Sequence, residues 1–369
     1  MRLATYNVEW FDSLFDDDGK PVPDDRWSRR HDVTRRAQLA ALARVFAALD
    51  ADAILVVEAP DDSRRRNARV ALQEFSDFAG LRARQALLGF ANHTQQEIML
   101  LFDPDVIRAR HDPVGQAGGT LEGAADTPDF AHGAADDPGP RFDTLFHMDT
   151  DLDMHPDPIQ WSKPPLEIAA RAGDFAFRMI GVHAKSKAPR GATTPAEAMR
   201  LAIANRRKQL AQCIWLRHRV AWHLQRGEPL VVLGDFNDGP GLDEYERLFG
   251  RSSIEIVMGE DAAADLRLFD LHAAQILGQA QGRGPEQGQG LGQGQGAAPV
   301  SSRFYIAEQQ RYLSALLDYI MVSPGIAARD PVWRIWHPFD DPACYANAEL
   351  RQALLTASDH FPVTVDFSP

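Results

Sequence analysis

Apolar residues in this chain fall mainly into short runs with the spacing of β-strands. Val363, Val365 and Phe367 alternate with polar residues, which is the two-residue period of a half-buried strand. Pro362 marks the start of that strand, because proline lacks an N–H and restricts the residue before it. Further strands are predicted at RLATYNVEWF, ADAILVVEA, QEIMLLFDP, PLEIAA, FAFRMIGVHAKS, PLVVLGDFN and LLDYIMVS.

Two longer stretches have the spacing of helices. In DVTRRAQLAALARVFAALD the apolar residues recur at intervals of three and four, which predicts an amphipathic helix. The stretch TPAEAMRLAIANRRKQLAQCIWLRHRVAWHLQRG predicts a long helix that Thr194 caps and Gly227 ends. Strands dominate and helices lie between them, which favours an α/β fold.

Two segments interrupt this pattern. Residues 111–160 are rich in Gly, Asp, Pro and Ala and show no clear period, and residues 278–299 are a low-complexity Gly/Gln segment typical of a loop. Polar motifs lie on both sides of each segment. We therefore expect a single domain over residues 1–369, with insertions at 111–160 and 278–299.

Composition limits the class of protein. The chain has 369 residues, 44% of them hydrophobic, so it can build a sizeable core. No apolar run is long enough for a spanning helix, and the start MRLATYNVEW turns polar too soon for a secretory signal. Cys213 and Cys344 are too few for a disulfide framework, so we expect reduced thiols in a cytoplasmic protein that makes no membrane contact.

The charge balance argues against a broad nucleic-acid footprint. Lys and Arg number 39 against 52 Asp and Glu, which gives a formal net charge of −13. Tight non-specific binding to a duplex needs a broad basic surface, because Lys and Arg replace the counterions of the phosphates. Basic residues cluster locally in RWSRRHDVTRR, SRRRNAR and NRRKQ, which fits either solvated helix faces or a small basic groove.

Ionisable and amide residues recur where apolar strands begin or end. Carboxylates seldom lie beside hydrophobic runs unless they are paired or bind a metal. Each such residue alone fits a loop cap, a turn or a satisfied core side chain, but their recurrence along one chain favours a shared site. The residues are Asn7, Glu9, Glu58, His183, Asp235, Asn237, Asp318, Asp359 and His360.

Six motifs in this order resemble the endonuclease/exonuclease/phosphatase superfamily, which has the DNase I-like fold. They span residues 5–363 and read TYNVEW, DAILVVEAPD, GVHAKSK, VLGDFND, LLDYIMVS and SDHFPV. The pair GDFND and SDHFPV is the specific part. The resemblance implies a four-layer α/β sandwich of two packed, mostly antiparallel β-sheets flanked by helices. It also implies a site where strand ends from both halves converge.

The resemblance implies a metal centre. Glu58 would be the principal metal carboxylate, with Asn7 beside it, Asp359 as a second carboxylate and Glu9 nearby, where relatives often carry the shorter Asp. Mg²⁺ prefers oxygen ligands and keeps several waters, which suits carboxylates and an amide, and Mn²⁺ is expected to substitute for it.

The resemblance also implies a role for each catalytic residue. Asp235 would orient and deprotonate the attacking water, and Asn237 would hold the phosphate or the nucleophile. His360 would contact the phosphate, oriented by Asp318, and His183 would lie near the leaving group. In-line attack needs such a base on one side of phosphorus and assistance for the departing oxygen on the other.

Basic residues near these motifs are candidates for substrate contacts. Lys185 and Lys187 of HAKSK fit contacts to substrate phosphates or simple exposure after a strand. Lys163 of SKPPLEI stands where the family pattern has an arginine, and lysine cannot make the bidentate phosphate contact of arginine. Arg200 and Arg206 fit either the groove wall or salt bridges beside the core.

The favoured function is a divalent-metal-dependent phosphodiesterase, and in particular a nuclease that hydrolyses DNA or RNA phosphodiester bonds; no protein partner is inferred. One alternative is a phosphoesterase for a small-molecule or lipid-linked phosphate. A second is an inactive binding module, which should have lost a metal carboxylate or the base. The motif residues for both are present. The sequence leaves open the choice of DNA or RNA, endonuclease or exonuclease action, the number of metals and the oligomeric state.

Overall fold

The computed structural model describes residues 1–116, 137–148, 157–189, 191–239, 250–280, 298–306 and 310–369. The strands among them are β1 (Arg2–Asn7), β2 (Ala53–Ala59), β3 (Gln85–Leu88), β4 (Glu97–Phe102), β5 (Arg108–His111), β6 (Phe146–Met148), β7 (Asp157–Ile159), β8 (Leu166–Ala172), β9 (Phe175–His183), β10 (Leu230–Asp235), β11 (Ser302–Ile306), β12 (Arg311–Ala315), β13 (Asp318–Val322), β14 (Val332–Ile335) and β15 (Val363–Asp366).

Helices connect these strands. The α-helices are α1 (Arg35–Leu49), α2 (Ala68–Ala79), α3 (Pro195–Gln225), α4 (Ser253–Met258), α5 (Leu271–Ala280), α6 (Pro324–Ala327), α7 (Pro342–Ala346) and α8 (Ala348–Ala357). The long helix predicted from the sequence is confirmed as α3. The Thr194 side chain accepts a hydrogen bond from the Glu197 N–H, and Gly227 follows the helix with a positive φ of 66°.

Two main sheets form the centre of the fold. The first has the strand order β14-β15-β1-β2-β4-β3 and the second β13-β10-β9-β8-β5. Each sheet contains one parallel pair, β1 with β2 and β9 with β10, and all its other pairs are antiparallel. The mostly antiparallel sheets expected from the sequence are therefore confirmed.

Three apolar clusters show how the layers pack. One cluster joins the first sheet to α1, α2 and α8, and another joins the second sheet to α3, α4 and α5. A third lies between the sheets and contains Leu55 of the first and Val231 of the second. The order helices, sheet, sheet, helices matches the predicted four-layer sandwich. Gly181 allows the close approach, because a Cβ there would lie 2.4 Å from Leu55 Cδ1.

The two segments predicted as insertions are only partly described. Within 111–160, β6 and β7 pair as a hairpin, while residues 117–136 and 149–156 lie outside the described residues. Within 278–299, α5 extends to Ala280, so the first part of the predicted loop is helical. Residues 281–297 also lie outside the described residues.

Two smaller expectations are also met. Cys213 and Cys344 are both free and buried, as predicted for reduced thiols. Among the helices that the structure describes, none is both long enough and apolar enough to cross a membrane.

Candidate active site

Polar residues at the ends of both parallel strand pairs meet at one edge of the molecule. Asn7 and Glu58 lie at the ends of β1 and β2, and His183 and Asp235 at the ends of β9 and β10. Because each pair is parallel, its two strand ends lie on the same side of its sheet. Asn7 Nδ2 donates a 3.0 Å hydrogen bond to Asp235 Oδ2, which joins the two sheets at this edge.

Several non-glycine residues here adopt the left-handed backbone conformation. Glu58 lies at a bulge between β2 and β4 and has a φ of 60°, and Glu9, Trp10 and Asn237 have φ values of 48°, 59° and 51°. This conformation costs about 1–3 kcal/mol for each such residue and is often found at functional sites. The Trp10 N–H donates a 2.9 Å hydrogen bond to Glu58 Oε2, which holds the bulged carboxylate in place.

The segment GDFND forms a tight turn around Asp235. The Asn237 N–H donates to Asp235 Oδ1 at 2.8 Å, and Asn237 Nδ2 lies 3.2 Å from both Asp235 Oδ2 and the Ala184 carbonyl oxygen. Gly234 has a φ of 139°, and a Cβ there would lie 2.0 Å from the Val182 carbonyl oxygen. Only glycine therefore lets β10 lie this close to β9 just before Asp235.

The loop before β15 brings His360 to the same edge. His360 Nδ1 lies 2.8 Å from Asp318 Oδ2, which also accepts a 2.8 Å hydrogen bond from Ser301 Oγ. Ser358 Oγ donates to the Asn7 carbonyl oxygen at 2.7 Å and accepts from the His360 N–H at 3.1 Å. Neither serine was predictable from the sequence, because a single serine beside a motif carries no signal of a contact so distant along the chain.

These residues surround a cavity of about 360 Å³. Its lining includes ten of the residues singled out from the sequence, together with Trp10, Thr94 and Gln96. The ten are Asn7, Glu9, Glu58, Lys163, His183, Lys185, Asp235, Asn237, Asp359 and His360. Asp318 lies behind His360 and is almost fully buried.

The profile of the Endonuclease/Exonuclease/phosphatase family matches residues 4–360. The chain belongs to this family. Its members are in general phosphoester hydrolases that typically use divalent metals. The DNase I-like fold implied by the motifs is thus confirmed, whereas no curated protein sequence matches the chain significantly.

Solved structures resemble the chain at low sequence identity. Truncated Caenorhabditis elegans TDP2 is 11% identical, with a TM-score of 0.47 over 100% of this chain and 97% of that one. An AP endonuclease from Archaeoglobus fulgidus is also 11% identical, with a TM-score of 0.42 over 100% of both chains. The human Nocturnin catalytic domain is 14% identical, with a TM-score of 0.43 over 100% of this chain and 94% of that one.

Burial and neighbouring charges shift the pKa values of two residues at the candidate site. Burial raises the pKa of Asp235 to about 7, although His360 and the hydrogen bonds from Asn237 and Asn7 oppose the shift. Burial disfavours the imidazolium of His360, but Asp318, Asp235 and Asp359 outweigh it and raise the pKa of His360 well above its usual value. These surroundings favour the protonated form of His360 and make the neighbouring carboxylate of Asp235 a readier proton acceptor than an exposed aspartate.

The carboxylate of Glu9 is paired with Arg30. The two side chains form an ion pair, and Glu9 Oε2 also accepts a 3.1 Å hydrogen bond from the Asp359 N–H. The second guanidinium nitrogen of Arg30 donates to the Leu355 carbonyl oxygen at 3.0 Å. Glu9 thus lines the cavity and also fastens the loop that carries Asp359. Arg30 lies in the basic stretch RWSRRHDVTRR, where the sequence alone did not distinguish it from its neighbours.

The two lysines of HAKSK occupy different places. Lys185 lines the cavity, whereas Lys187 Nζ donates a 2.7 Å hydrogen bond to the buried carboxylate of Asp238. Arg206 pairs with the same carboxylate at 2.6 Å, so it forms one of the salt bridges anticipated as an alternative to the groove wall. Lys163 also lines the cavity, with its Nζ 3.3 Å from His183 Nε2.

Gln209 of α3 is a further supporting residue that the sequence analysis missed. Its Nε2 lies 2.9 Å from the Lys185 carbonyl oxygen and 3.0 Å from that of Asn237. One buried amide therefore fixes both loops that carry cavity residues to the helix. Its position in NRRKQ suggested only a basic helix face.

Two groups of side chains here have potential metal-binding atoms. The ligand atoms of Asp235, Asp318 and His360 lie within 4.8 Å of one another. A protonated His360 cannot coordinate a cation, however, so these three suit a hydrogen-bond network better. Glu58, Asn7 and Asp359 offer oxygen atoms at the same cavity, as Mg²⁺ prefers. Asn7 directs its amide nitrogen to Asp235 and its oxygen to the Glu9 N–H, so its oxygen faces a donor rather than another carboxylate.

Proposed function

We propose that the protein is a divalent-metal-dependent phosphodiesterase that cleaves nucleic acid by in-line attack of an activated water. The observation that carries this proposal is the hydrogen bond between Asn7 and Asp235, which unites the strand ends of both sheets in one cavity. The same cavity is thereby lined by residues whose oxygen atoms can bind a metal, by a buried base and by a protonated histidine. Such a combination suits phosphoester hydrolysis.

Glu58, Asn7 and Asp359 would hold a Mg²⁺ ion, and Mn²⁺ should replace it. When bound, the cation supplies Lewis-acid stabilisation of the charge that develops on the phosphate. Glu9 would act on this group indirectly, since its pair with Arg30 and its bond to the Asp359 N–H position the loop. The donors of all three ligands are oxygen atoms, which fits Mg²⁺ better than a soft metal.

Asp235 would accept the proton of the attacking water. Its carboxylate is oriented by Asn7 and Asn237, and its raised pKa makes it a stronger base than an exposed aspartate. The Asn237 amide, which lines the cavity, would help to place the water and the phosphate.

His360 would donate a hydrogen bond to a phosphate oxygen. Asp318 holds its Nδ1 side, so Nε2 is the nitrogen that remains for the substrate. The imidazolium would stabilise the charge of the transition state. His183 would assist the departing oxygen, and the side-chain nitrogen of Lys163 lies beside it.

Cleavage of supercoiled plasmid tests the proposal. We expect nicking that requires Mg²⁺ or Mn²⁺, stops in EDTA, and falls by about 100-fold or more in Asp235→Asn. The matched control is Asp174→Asn, an exposed residue before β9, at the opposite end of that strand from His183. Equal activity of Asp235→Asn and wild type in a pure preparation would show that Asp235 is not the base.

The same assay separates the proposed substrate from smaller ones. If plasmid and RNA both remain intact with either metal, while the small diester bis(p-nitrophenyl) phosphate is hydrolysed, the protein is a phosphoesterase for small or lipid-linked phosphates. If none of them is hydrolysed, the inactive binding module is the remaining hypothesis.

A further inference from the structure

The hairpin β11–β12 presents aromatic side chains to solvent. Arg303 and Tyr305 alternate along β11, and Tyr305 lies opposite Tyr312 of β12, so the three side chains share one face. Tyr305 is 53% exposed and Tyr312 59% exposed. Two rings left in water add little to the stability of a two-stranded hairpin. An exposed pair of tyrosines beside a catalytic cavity points to a ligand rather than to packing.

The rings and one guanidinium are arranged as a continuous surface. The ring centroids of Tyr305 and Tyr312 are 5.2 Å apart. The guanidinium carbon of Arg303 lies 4.4 Å from the Tyr312 centroid and 5.7 Å from that of Phe339, whose side chain is also exposed. We call these four residues, Arg303, Tyr305, Tyr312 and Phe339, the aromatic platform.

The platform is anchored to the loop that carries the catalytic residues. The Arg303 N–H donates a 2.7 Å hydrogen bond to the Asp359 carbonyl oxygen. The neighbouring Ser302 forms a backbone bridge with His360. Since Asp359 and His360 line the cavity, the base of β11 is directly connected to the cavity wall. The platform therefore begins on the same backbone segment that contacts the cavity wall.

We propose that the aromatic platform stacks unpaired bases of a nucleic-acid strand whose scissile phosphate lies in the cavity. This inference rests on the proposed function and adds the class of substrate, a single strand or the unpaired part of one. Tyrosine rings and arginine planes accept any base by its face. Bases in a duplex already stack on each other, so only unpaired bases can use this surface.

The charge of the protein agrees with this mode of binding. The net charge of −13 leaves little for the broad phosphate contacts that hold a duplex. Stacking supplies affinity without many cations, and Arg303 contributes a single positive charge at the platform. A strand held mainly by its bases therefore suits an acidic protein better than a duplex held by its phosphates.

Fluorescence anisotropy tests the platform independently of catalysis. Wild type and Tyr305→Ala/Tyr312→Ala are titrated in EDTA with a labelled short oligonucleotide, as single-stranded DNA, single-stranded RNA and duplex DNA. We expect the double variant to bind the preferred single strand about tenfold or more weakly, with little change for the duplex. Tyr312→Phe keeps the ring and should bind as wild type does.

Phe78→Ala is the matched control for loss of an exposed aromatic ring. Phe78 is 46% exposed and lies near the end of α2, away from the catalytic loop. We expect its affinity for each oligonucleotide to equal that of wild type. Equal affinity of the double tyrosine variant and wild type, or an equal loss for single strand and duplex, would overturn the platform.

Hydrolysis of bis(p-nitrophenyl) phosphate separates this inference from the proposed function. The double tyrosine variant should keep the kcat/KM of wild type within about twofold, because this diester carries no nucleotides beyond the phosphate in the cavity and the tyrosines do not line that cavity. If wild type hydrolyses no phosphodiester, the proposed function fails while the binding result stands. If wild type binds no oligonucleotide but hydrolyses the small diester, the stacking proposal is wrong and the phosphodiesterase activity stands. The exposed rings of the platform would then suit a protein partner.

Discussion

Asp318 is nearly inaccessible to solvent and contacts His360. Its carboxylate receives the imidazole at 2.8 Å and the Ser301 hydroxyl at the same distance. A carboxylate in this position fixes the ring orientation and favours its protonated form. Removing its charge while keeping its shape therefore isolates the electrostatic contribution.

We expect Asp318→Asn to lower kcat on bis(p-nitrophenyl) phosphate by about 10- to 100-fold with a small change in KM. The pKa of His360 should fall at the same time, because Asp318 raises it more than any other residue does. NMR titration of the imidazole measures this second effect. Ser301→Ala, which leaves the Asp318 charge in place, is the control and should keep most of the activity. A kcat of Asp318→Asn equal to that of wild type would show that the mechanism does not require a protonated His360.

Lys185 and Lys187, two residues apart, should give opposite phenotypes. Lys187→Ala removes one of the two cations that pair with the buried carboxylate of Asp238, leaving Arg206, so we expect a loss of about 2 kcal/mol in the free energy of unfolding. Lys185→Ala should raise KM for an oligonucleotide several-fold with unchanged stability, because Lys185 lines the cavity. Urea unfolding and steady-state kinetics measure the two. If Lys187→Ala raised KM and Lys185→Ala did not, Lys187 rather than Lys185 would be the residue that contacts the substrate.

The loop between β3 and β4 depends on Glu97, which is fully buried. Asn92 Nδ2 donates to Glu97 Oε2 at 2.6 Å, and the Thr94 N–H donates to Asn92 Oδ1 at 2.7 Å. Thr94 and Gln96 line the cavity, so this carboxylate supports one of its walls. Burial raises the pKa of Glu97 from 4.5 to about 7.

Folding should therefore depend on pH through Glu97. Glu97 binds its proton more tightly in the folded state than in the unfolded state. The stabilisation of the fold that comes from this protonation is therefore complete below about pH 4.5 and lost as the pH rises through about 7. Relative to wild type, Glu97→Gln should gain about 3 kcal/mol in the free energy of unfolding across this range. Urea titrations at several pH values measure it, with Glu74→Gln as the control. A difference that does not vary with pH would show that Glu97 does not titrate in this way.

Most of the strands that carry the site were predictable from the sequence. Asp235 and Asp318 follow or begin strands whose apolar pattern is strong, and both strands occur as expected. The short hairpin β11–β12 was missed, since its polar and aromatic alternation faces solvent and gives no buried period. The places of Glu9 and Lys187 were also not predictable, because their partners Arg30 and Asp238 are brought to them only by the fold.

The molecule as a whole is acidic, and this should limit its response to salt. The cavity is lined by few cations, among them Lys163 and Lys185, so few counterions are released when a strand binds. We expect log K for a single-stranded oligonucleotide to fall with log salt with a slope of about −2 or shallower. Anisotropy titrations over a range of NaCl concentrations measure the slope. A much steeper slope would indicate a basic face and phosphate-dominated binding.

The central strand β1 has a consequence for the order of folding. It lies between β2 and β15, Asn7 donates a hydrogen bond to Asp235, and the Asn7 carbonyl oxygen accepts one from Ser358, just before Asp359. Its pairing with β15, in which Arg2 lies opposite Asp366, joins residues that are far apart in the sequence. Such contacts form slowly, because a long loop must close before they are made. The first sheet and the candidate site should therefore be completed in the same late step of folding.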